Sequence, residues 1–501
     1  MTFESSLVLL LLIASVAAQP VVLHTLFVDA SHGADSAACG VNATAACASV
    51  AGAVSVASAL NLTASSLGLQ LAAGVYEGPL NCGLAAQSVV SVQGQLGDRR
   101  AVAFVCPVLF VGPRVSSVSF VNDTSVASTG GALTAVAFLR SASLSVLDNA
   151  TLVSVADSSF EGDSVGTAVS VGANARLRVD NSALSGFDIG VAASGAARVS
   201  LRNVTVSKAR VGIHLDSVAA VQAGAVTIEH CHEAGFELVD SAAVFSAGVE
   251  TRDSAGFVVR GASASLLARA GLTIRRAHGT LLQISGGADA KIDGLTISNC
   301  TALAAAVGVA VIGSSTLELS NSLITSISGP RAALSVADGS SASLTRVVIS
   351  DNNATAIFVS ASLLLVTDSI IARNAGRIAG ALVARVSSDV TLVDTRIFGC
   401  KYELQNASAP AAGAIFVHDS SVELKRCALD SNGPLLGVGG SDAAQQIRCV
   451  ALSMDAARVL VGSNTQSVSL KSVHEPDARC SPQCDWTVMP GSSIGSTVQC
   501  V

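Results

Sequence analysis

ARLRVDNSALSGFDIGVAAS (residues 175–194), ARVSLRNVTVSKARVGIHLD (197–216) and AVQAGAVTIEHCHEAGFELV (220–239) are the three stretches that decide the fold of this chain. Each contains short runs of alternating apolar and polar residues, such as LRV, VTV, IHL and FELV, separated by Gly, Asn, Asp or Ser. Alternation with a period of two predicts half-buried β-strands joined by turns. No window of ten or more residues keeps the 3.6-residue apolar period of a helix, which excludes helical repeats.

The three stretches belong to a longer repeat. An apolar residue precedes each polar turn at steps of 22 to 27 residues, with a last step of 32. Such spacing predicts one solenoid coil per step, with two or three short strands in each coil and like positions stacked along one axis. We therefore predict an all-β parallel β-helix of about twelve or more coils. The repeating residues are Phe160, Leu184, Val206, Ile228, Thr251 (the one polar exception), Ile274, Ile297, Ile324, Ile349, Ile371, Ile397 and Leu429.

The start of the chain resembles a known superfamily. Three segments resemble the first coils of right-handed parallel β-helix proteins of the pectin-lyase-like superfamily: LFVDASHGAD (26–35), the Ala/Val-rich segment Cys47–Leu60 and LGLQLAAGVYEGPL (67–80). The resemblance covers roughly residues 24–435. It implies a first strand, then a short capping helix over the open end of the core, then a second strand. Such a helix would cover apolar side chains and unpaired strand backbone.

The sequence divides into three parts. Residues 1–18 predict a signal peptide, because the apolar run Leu7–Ala18 ends in small residues and is too short to span a membrane. Residues 19–435 form the predicted β-helix domain, with its N-terminal cap within 19–80. The coil spacing fades after Asn432, and 436–501 predict a disulfide-stapled, Cys-rich C-terminal cap or the start of a Cys-rich module.

Composition points to an extracellular or cell-surface protein. A net charge of −7 over 501 residues gives no strong field, so nucleic acid is not an expected partner. All twelve cysteines follow the predicted signal peptide, and eight Asn-x-Ser/Thr sequons favour N-glycosylation of a secreted protein. The expected partners are extracellular carbohydrate or a surface protein, and we expect no transmembrane segment in the mature chain. The sequons are at Asn42, Asn61, Asn122, Asn149, Asn203, Asn299, Asn353 and Asn406.

The cysteines suggest several disulfides. Cys39 with Cys47, and Cys82 with Cys106, are local pairs, and Cys400 with Cys427 would tie adjacent coils. Cys231 and Cys300 lie three coils apart, too far to bond directly, and are expected to be buried thiols. The remaining candidates belong to the predicted C-terminal cap: Cys449, Cys480, Cys484 and Cys500.

The densest polar patch lies in the predicted turns between residues 208 and 278. Aligning the coils stacks Lys208, His230, Asp253, Arg276 and Asn299 in one column. The patch has two interpretations: alternating charges that stabilise adjacent coils, or a site for an anionic sugar. Its candidate ligand residues are Lys208, Glu229, His230, Arg252, Asp253, Arg275, Arg276 and His278.

His230, Cys231 and His232 also suggest a metal site at first sight. Zinc needs several ligands that converge on one ion, and the neighbouring coils supply only Lys208 and Asp253 beside them. A turn is therefore favoured over a metal site, and we predict no metal and no cofactor.

Catalytic motifs of pectin-lyase-like enzymes are poorly represented. The sequence has no Asn-Thr-Asp and no Asp-Asp pair, whereas glycoside hydrolysis needs two carboxyl groups. TGGALTAV (129–136), AGALVAR (379–385) and AGAIFVHDSSVELKRCALDSNG (412–433) resemble, in diluted form, the repeats of β-helical polymorphic surface adhesins. We expect a secreted, non-catalytic binding, adhesion or structural surface module. The alternative is a polysaccharide lyase or glycoside hydrolase.

Overall fold

The structure is a computed structural model. It describes residues 24–62, 67–82, 91–94, 100–110, 114–122, 124–301, 307–402, 413–418, 420–430 and 432, together with seven strands after residue 435. The predicted signal peptide, the sequon Asn406, Cys480 and Cys484 lie outside the described residues. Within the described ranges, none of the helices combines the length and the apolar character needed to cross a membrane.

The chain folds as an all-β parallel solenoid of about 13 turns, which confirms the predicted fold class and the predicted number of coils. It divides into two compact units, Met1–Ser145 with Ala150–Phe160, and Val146–Asn149 with Glu161–Val501. The strands of the described residues pair in parallel with strands one coil earlier and one coil later, as at Leu184, Val206 and Ile228.

The strands of the first unit are short. They are His24–Val28, Leu67–Leu71, Gly74–Tyr76, Ser91–Gln93, Val102–Phe104, Val108–Phe110, Arg114–Ser116, Ser119–Val121, Ser125–Ser128, Gly131–Thr134, Ala137–Leu139, Ser143–Val146, Val153–Ala156 and Ser159–Glu161.

Helices occur near the start of the first unit: the 3-10 helix Ala43–Ala45 and the α-helices Val50–Ala59 and Pro79–Cys82. Ser49 caps the helix Val50–Ala59, because its hydroxyl accepts a hydrogen bond from the Gly52 N–H. This helix lies against the strands His24–Val28 and Leu67–Leu71. A helix therefore occupies the segment where we predicted one, and its role as a cap stays a prediction.

The second unit contains the regular coils. Its strands up to residue 435 are Thr167–Val171, Arg176–Ser185, Ile189–Ser194, Arg198–Ser207, Val211–Asp216, Ala220–Glu229, Ala234–Val239, Ala242–Phe245, Val249–Arg252, Ala255–Arg260, Ser265–Ala268, Leu272–Arg275, His278–Ser285, Asp289–Asp293, Leu295–Thr301, Val309–Ile312, Thr316–Ala337, Ser341–Ser350, Asn353–Ser360, Leu363–Thr367, Ile370–Ala372, Ala375–Gly376, Leu382–Arg385, Asp389–Val393, Arg396–Phe398, Lys401–Tyr402, Ile415–His418, Ser421–Lys425 and Ala428–Asp430.

Strand pairing continues past residue 435. The later strands are Leu436–Gly439, Gln445–Val450, Ser453–Met454, Arg458–Val461, Val468–Val473, Asp485–Val488 and Gln499–Cys500. They stack in parallel in the same way, so that Leu429 pairs with Met454. Parallel pairing therefore includes strands of residues 436–501, and both the domain boundary at 435 and the disulfide-stapled cap stay predictions.

One coil of the second unit, residues 198–217, shows how the chain turns. Each coil has three sides, which we call A, B and C; here A is 198–202, B is 204–207 and C is 211–216. A residue with positive φ marks each corner: Asn203 (51°), Lys208 (53°) and Ser217 (56°). The bend at Asn203 resets the alternation of side chains, so that both sides A and B turn apolar residues inward.

The inward-pointing file predicted from the sequence is present. Strand register pairs Leu184, Val206, Ile228, Thr251, Ile274, Ile297, Ile324, Ile349, Ile371, Ile397 and Leu429 in that order, one per coil. All of them are buried. Because full burial of a Val, Leu or Ile side chain stabilises a protein by about 1.5–3 kcal/mol, this file is a principal source of stability.

In the first unit, aromatic rings form a second kind of file. Tyr76, Phe104, Phe120, Phe138 and Phe160 are all buried, and successive ring centroids are 5.4, 5.6, 5.2 and 4.1 Å apart. The Tyr76 hydroxyl donates to backbone carbonyl oxygens, and burial raises the pKa of Tyr76 to about 12.

Candidate functional site

The predicted polar column lies at the corner between sides B and C. Lys208, His230, Asp253, Arg276 and Asn299 have φ values between 49° and 55°, a region that Asn and Asp tolerate better than other non-glycine residues. The preceding residues stack in register as Ser207, Glu229, Arg252, Arg275 and Ser298. The structure therefore brings the candidate ligand residues of this corner together on neighbouring coils.

The carboxylates of this patch are held by arginines of the next coil. Arg252 Nη2 lies 2.7 Å from Glu229 Oε1, and the Arg276 guanidinium binds both oxygens of Asp253 at 2.8 and 2.7 Å. Hydrogen bonds from Arg276 lower the pKa of Asp253, and the carboxylate in turn raises the pKa of Arg276. Glu229 likewise raises the pKa of Arg252. Two pairs of opposite charge thus link neighbouring coils of the stack.

The other members of the patch have no carboxylate partner among the described residues. Lys208, His230, Arg275 and His278 are exposed. His278 begins the strand His278–Ser285 and pairs with Ala255 on one neighbouring coil and Thr301 on the other. The patch therefore presents several exposed basic side chains beside two ion pairs.

The side chains of His230, Cys231 and His232 do not converge. Cys231 is fully buried and its Sγ approaches the Glu229 carbonyl oxygen at 3.6 Å, whereas both histidines are exposed. Burial raises the pKa of the Cys231 thiol. The triplet is thus a corner of the solenoid with one inward and two outward side chains.

Two further charged groups on the second unit were missed by the sequence reasoning. Arg210 binds Asp188 of the preceding coil and Glu233 of the following coil. On side C, His214 Nδ1 lies 2.7 Å from Glu237 Oε2, and Arg260 Nη2 lies 2.9 Å from Glu237 Oε1. The coil spacing of 22 to 23 residues connects the members of each group, so the same repeat could have found them.

A shallow pocket on side A is lined by Ser265, Leu266, Leu267, Asp289, Ala290, Lys291, Thr316 and Glu318. Lys291 and Glu318 form an ion pair across it. The lining residues include no aromatic ring on which a sugar could stack.

Among the described cysteines, Cys39, Cys47 and Cys106 are disulfide-bonded, and four others are buried thiols. Cys39 is bonded to Cys47 (S–S 2.09 Å), as the sequence predicts. Cys231 and Cys300 are buried free thiols, as expected, but Cys400 and Cys427 are also free and buried, so the predicted bridge between them is wrong. Cys400 lies at the corner between sides B and C, under Asn432 of the next coil. Cys427 lies five residues before Asn432, about 16 Å along an extended chain.

Asparagines of the predicted glycosylation sites lie on the surface. The seven described sequon asparagines are all exposed, and five of them have positive φ: Asn61, Asn122, Asn149, Asn203 and Asn299. Asn42 instead caps the helix Ala43–Ala45, and Asn353 begins a strand.

Comparison with known proteins agrees with this architecture. Residues 280–465 match the family model described as the right-handed beta helix region. The matched region is similar to right-handed parallel β-helices, and the chain folds as a parallel β-solenoid. This fold is consistent with the pectin-lyase-like superfamily that the first coils resemble. A search of curated proteins gives no match.

Proposed function

We propose that this β-helix protein is a secreted, glycosylated module that binds extracellular carbohydrate or a surface protein without catalysis. One observation carries the proposal: in the corner turns, carboxylates are occupied by side chains of the next coil. Hydrogen bonds lower the pKa of Asp253, Asp293, Asp351 and Asp394, and the donors are Arg276, Asn321, Arg373 and Arg426, respectively.

Lowered pKa values are the opposite of what polysaccharide hydrolysis requires. A glycoside hydrolase needs one carboxyl group that stays protonated to donate a proton, and a second carboxylate beside it. A carboxylate bound by the Nε and Nη2 atoms of one guanidinium, as Asp253, Asp351 and Asp394 are, is held in its ionised form and is not free to contact a substrate.

Secretion and glycosylation form part of the same proposal. They are supported by the apolar N-terminal run, the number of sequons and the exposure of the seven described sequon asparagines. Expression in eukaryotic cells should give a protein that enters the medium, has lost residues near 1–18 and becomes smaller after enzymatic removal of N-glycans. Retention in the cytosol with an intact N-terminus would contradict this part.

The binding activity is tested with the purified full chain on an immobilised panel of neutral and acidic glycans. The same glycans are incubated with the protein in solution, and new reducing ends and unsaturated products are measured. We expect binding without products. Any turnover that copurifies with the folded protein would refute the non-catalytic function.

A second candidate function is a polysaccharide-active enzyme, and His214 and Glu237 favour it. An imidazole that contacts a carboxylate at 2.7 Å, on the outer surface of side C, is an arrangement able to move a proton. If turnover is found, His214→Ala should abolish it under this alternative. The matched change His230→Ala alters an exposed histidine at a corner and should leave the turnover unchanged.

A further inference from the structure

The strands Arg176–Ser185 and Arg198–Ser207 carry a cluster of arginines on the outer surface of side A. We call Arg176, Arg178, Arg198 and Arg202 the arginine patch. All four side chains are exposed. Strand register places Arg176 directly beside Arg198, and Asp180 directly beside Arg202. Adjacent strands lie about 4.8 Å apart, and four residues along a strand span about 13 Å, so the four guanidinium groups share one small surface.

This stacking differs from that of the ion-paired corners. There the chain puts opposite charges on successive coils, as in Glu229 with Arg252 and Asp351 with Arg373. At Arg176 and Arg198, as at Arg252 and Arg275, the repeat instead puts two like charges directly opposite each other, which destabilises a sheet. The side chains of Arg176 and Arg198 are exposed, so packing of the core does not require arginine at either position.

The positive charge of the patch is largely unbalanced. Asp180 binds Arg178, with Oδ2 2.6 Å from Nε. Within the residues that the structure describes, Arg176, Arg198 and Arg202 form no ion pair. Three unpaired guanidinium groups therefore lie together on a protein whose net charge is −7. On the next coil, the residues in register with the patch carry no charge: Ala220, Gln222 and Gly224.

Guanidinium groups are suited to oxygen anions, because their N–H groups can donate two parallel hydrogen bonds. The two oxygens of a carboxylate are satisfied by one guanidinium. A sulfate ester has three terminal oxygens, so one ester can accept hydrogen bonds from two stacked arginines at once. A polymer with several such groups could also reach Arg202 farther along the strand.

From this arrangement we propose that the arginine patch binds a sulfated polysaccharide. The inference deepens the proposed function, on which it rests, by naming the ligand class and its site. A nucleic acid fits less well, because single strands bind through basic grooves interleaved with aromatic rings and none of the patch residues is aromatic.

The test uses the full glycoprotein after enzymatic removal of N-glycans, because the sequon residue Asn203 follows Arg202. Binding is measured to dextran sulfate, polygalacturonate, unmodified dextran and DNA. The triple variant Arg176→Gln, Arg198→Gln, Arg202→Gln removes the three unpaired charges. The matched control Arg269→Gln, Arg331→Gln, Arg377→Gln removes the same charge from exposed arginines elsewhere. Circular dichroism of each variant checks that it is folded.

We expect the wild type to bind dextran sulfate in preference to the other polymers, more weakly as salt is added. The patch variant should bind about tenfold or more weakly, while the control should change by less than about twofold. Equal losses in both variants, an unchanged patch variant, or preference for DNA or polygalacturonate would overturn the proposal.

The two proposals fail separately. If the protein binds other glycans of the panel through some other surface, and the patch variant binds dextran sulfate as well as the wild type, only the arginine patch is refuted. If the protein turns a glycan over, the non-catalytic function is refuted, and the comparison of the two triple variants still decides the patch.

Discussion

Replacing Thr251 with Val should make the protein more stable. Thr251 is the one polar residue in the inward file, between Ile228 and Ile274 of the neighbouring coils. Its side chain is fully buried, and its hydroxyl oxygen has no hydrogen-bond partner. Val has nearly the same shape and replaces the hydroxyl by a methyl group. The change therefore removes a buried polar group whose hydrogen bonds to water were lost on folding.

The expected gain is set by two effects of the same sign. An unsatisfied buried hydroxyl costs about 1–3 kcal/mol, and an added buried methyl group contributes up to about 0.8 kcal/mol. Some of this gain is lost because the core must adjust around the added methyl group. We expect a net increase of about 1–2 kcal/mol in the free energy of unfolding.

Urea denaturation followed by circular dichroism measures this difference, provided that the slopes of the transitions are equal. Ile274→Val is the matched control on the next coil, because it removes one buried methylene from the same file and should cost about 0.5–1.5 kcal/mol. The two variants should therefore shift the midpoint in opposite directions. A Thr251→Val variant that is less stable than the wild type would show that the Thr251 hydroxyl is satisfied in solution, or that the file is not packed as described.

Three further predictions test other parts of the second unit. Asn374→Ala should lower the free energy of unfolding by about 3 kcal/mol, because the buried Asn374 amide accepts a hydrogen bond from Asn352 and donates one to the Ile349 carbonyl oxygen. The control Asn321→Ala, at an exposed position, should lower it much less in the same denaturation assay. Asp253→Asn should lower stability slightly near neutral pH. Since the folded pKa of Asp253 is below the usual 3.8, the wild type loses this advantage as pH falls through the folded pKa, and the two unfolding curves should then coincide. Mass spectrometry after alkylation should find the buried thiols unmodified in the native protein and modified after unfolding. Alkylation of these thiols in the native state would contradict their burial. The four thiols are Cys231, Cys300, Cys400 and Cys427.

Most of the fold could be predicted because one period governs the chain. The residues from Leu184 to Leu429 recur before polar turns, and a two-residue alternation on each side leaves only one way to bury them. Insertions change the step length without changing the register of the file. For this reason the register of eleven successive coils follows from the amino-acid order, although the ten steps between them range from 22 to 32 residues.

The candidate site was predictable only as a column. The period stacks Lys208, His230, Asp253 and Arg276, but it does not say which groups bond to each other. The structure shows that Arg276 binds Asp253 and that His214 contacts Glu237. These contacts depend on the direction in which each side chain leaves its corner or strand. The wrong pairing of Cys400 with Cys427 has the same origin.

The amino-acid order by itself thus determined the coil, its inward file and its polar corners, because these follow from local periodicity and from burial of apolar side chains. Only the tertiary structure decided that Cys400 and Cys427 lie at opposite ends of side B, and that Arg252 and Arg276 form ion pairs whereas Arg176, Arg198 and Arg202 form none with the described residues. Such outcomes depend on distances between atoms of neighbouring coils. Residues some two dozen positions apart in the chain become close only when the register and the side-chain directions are both set.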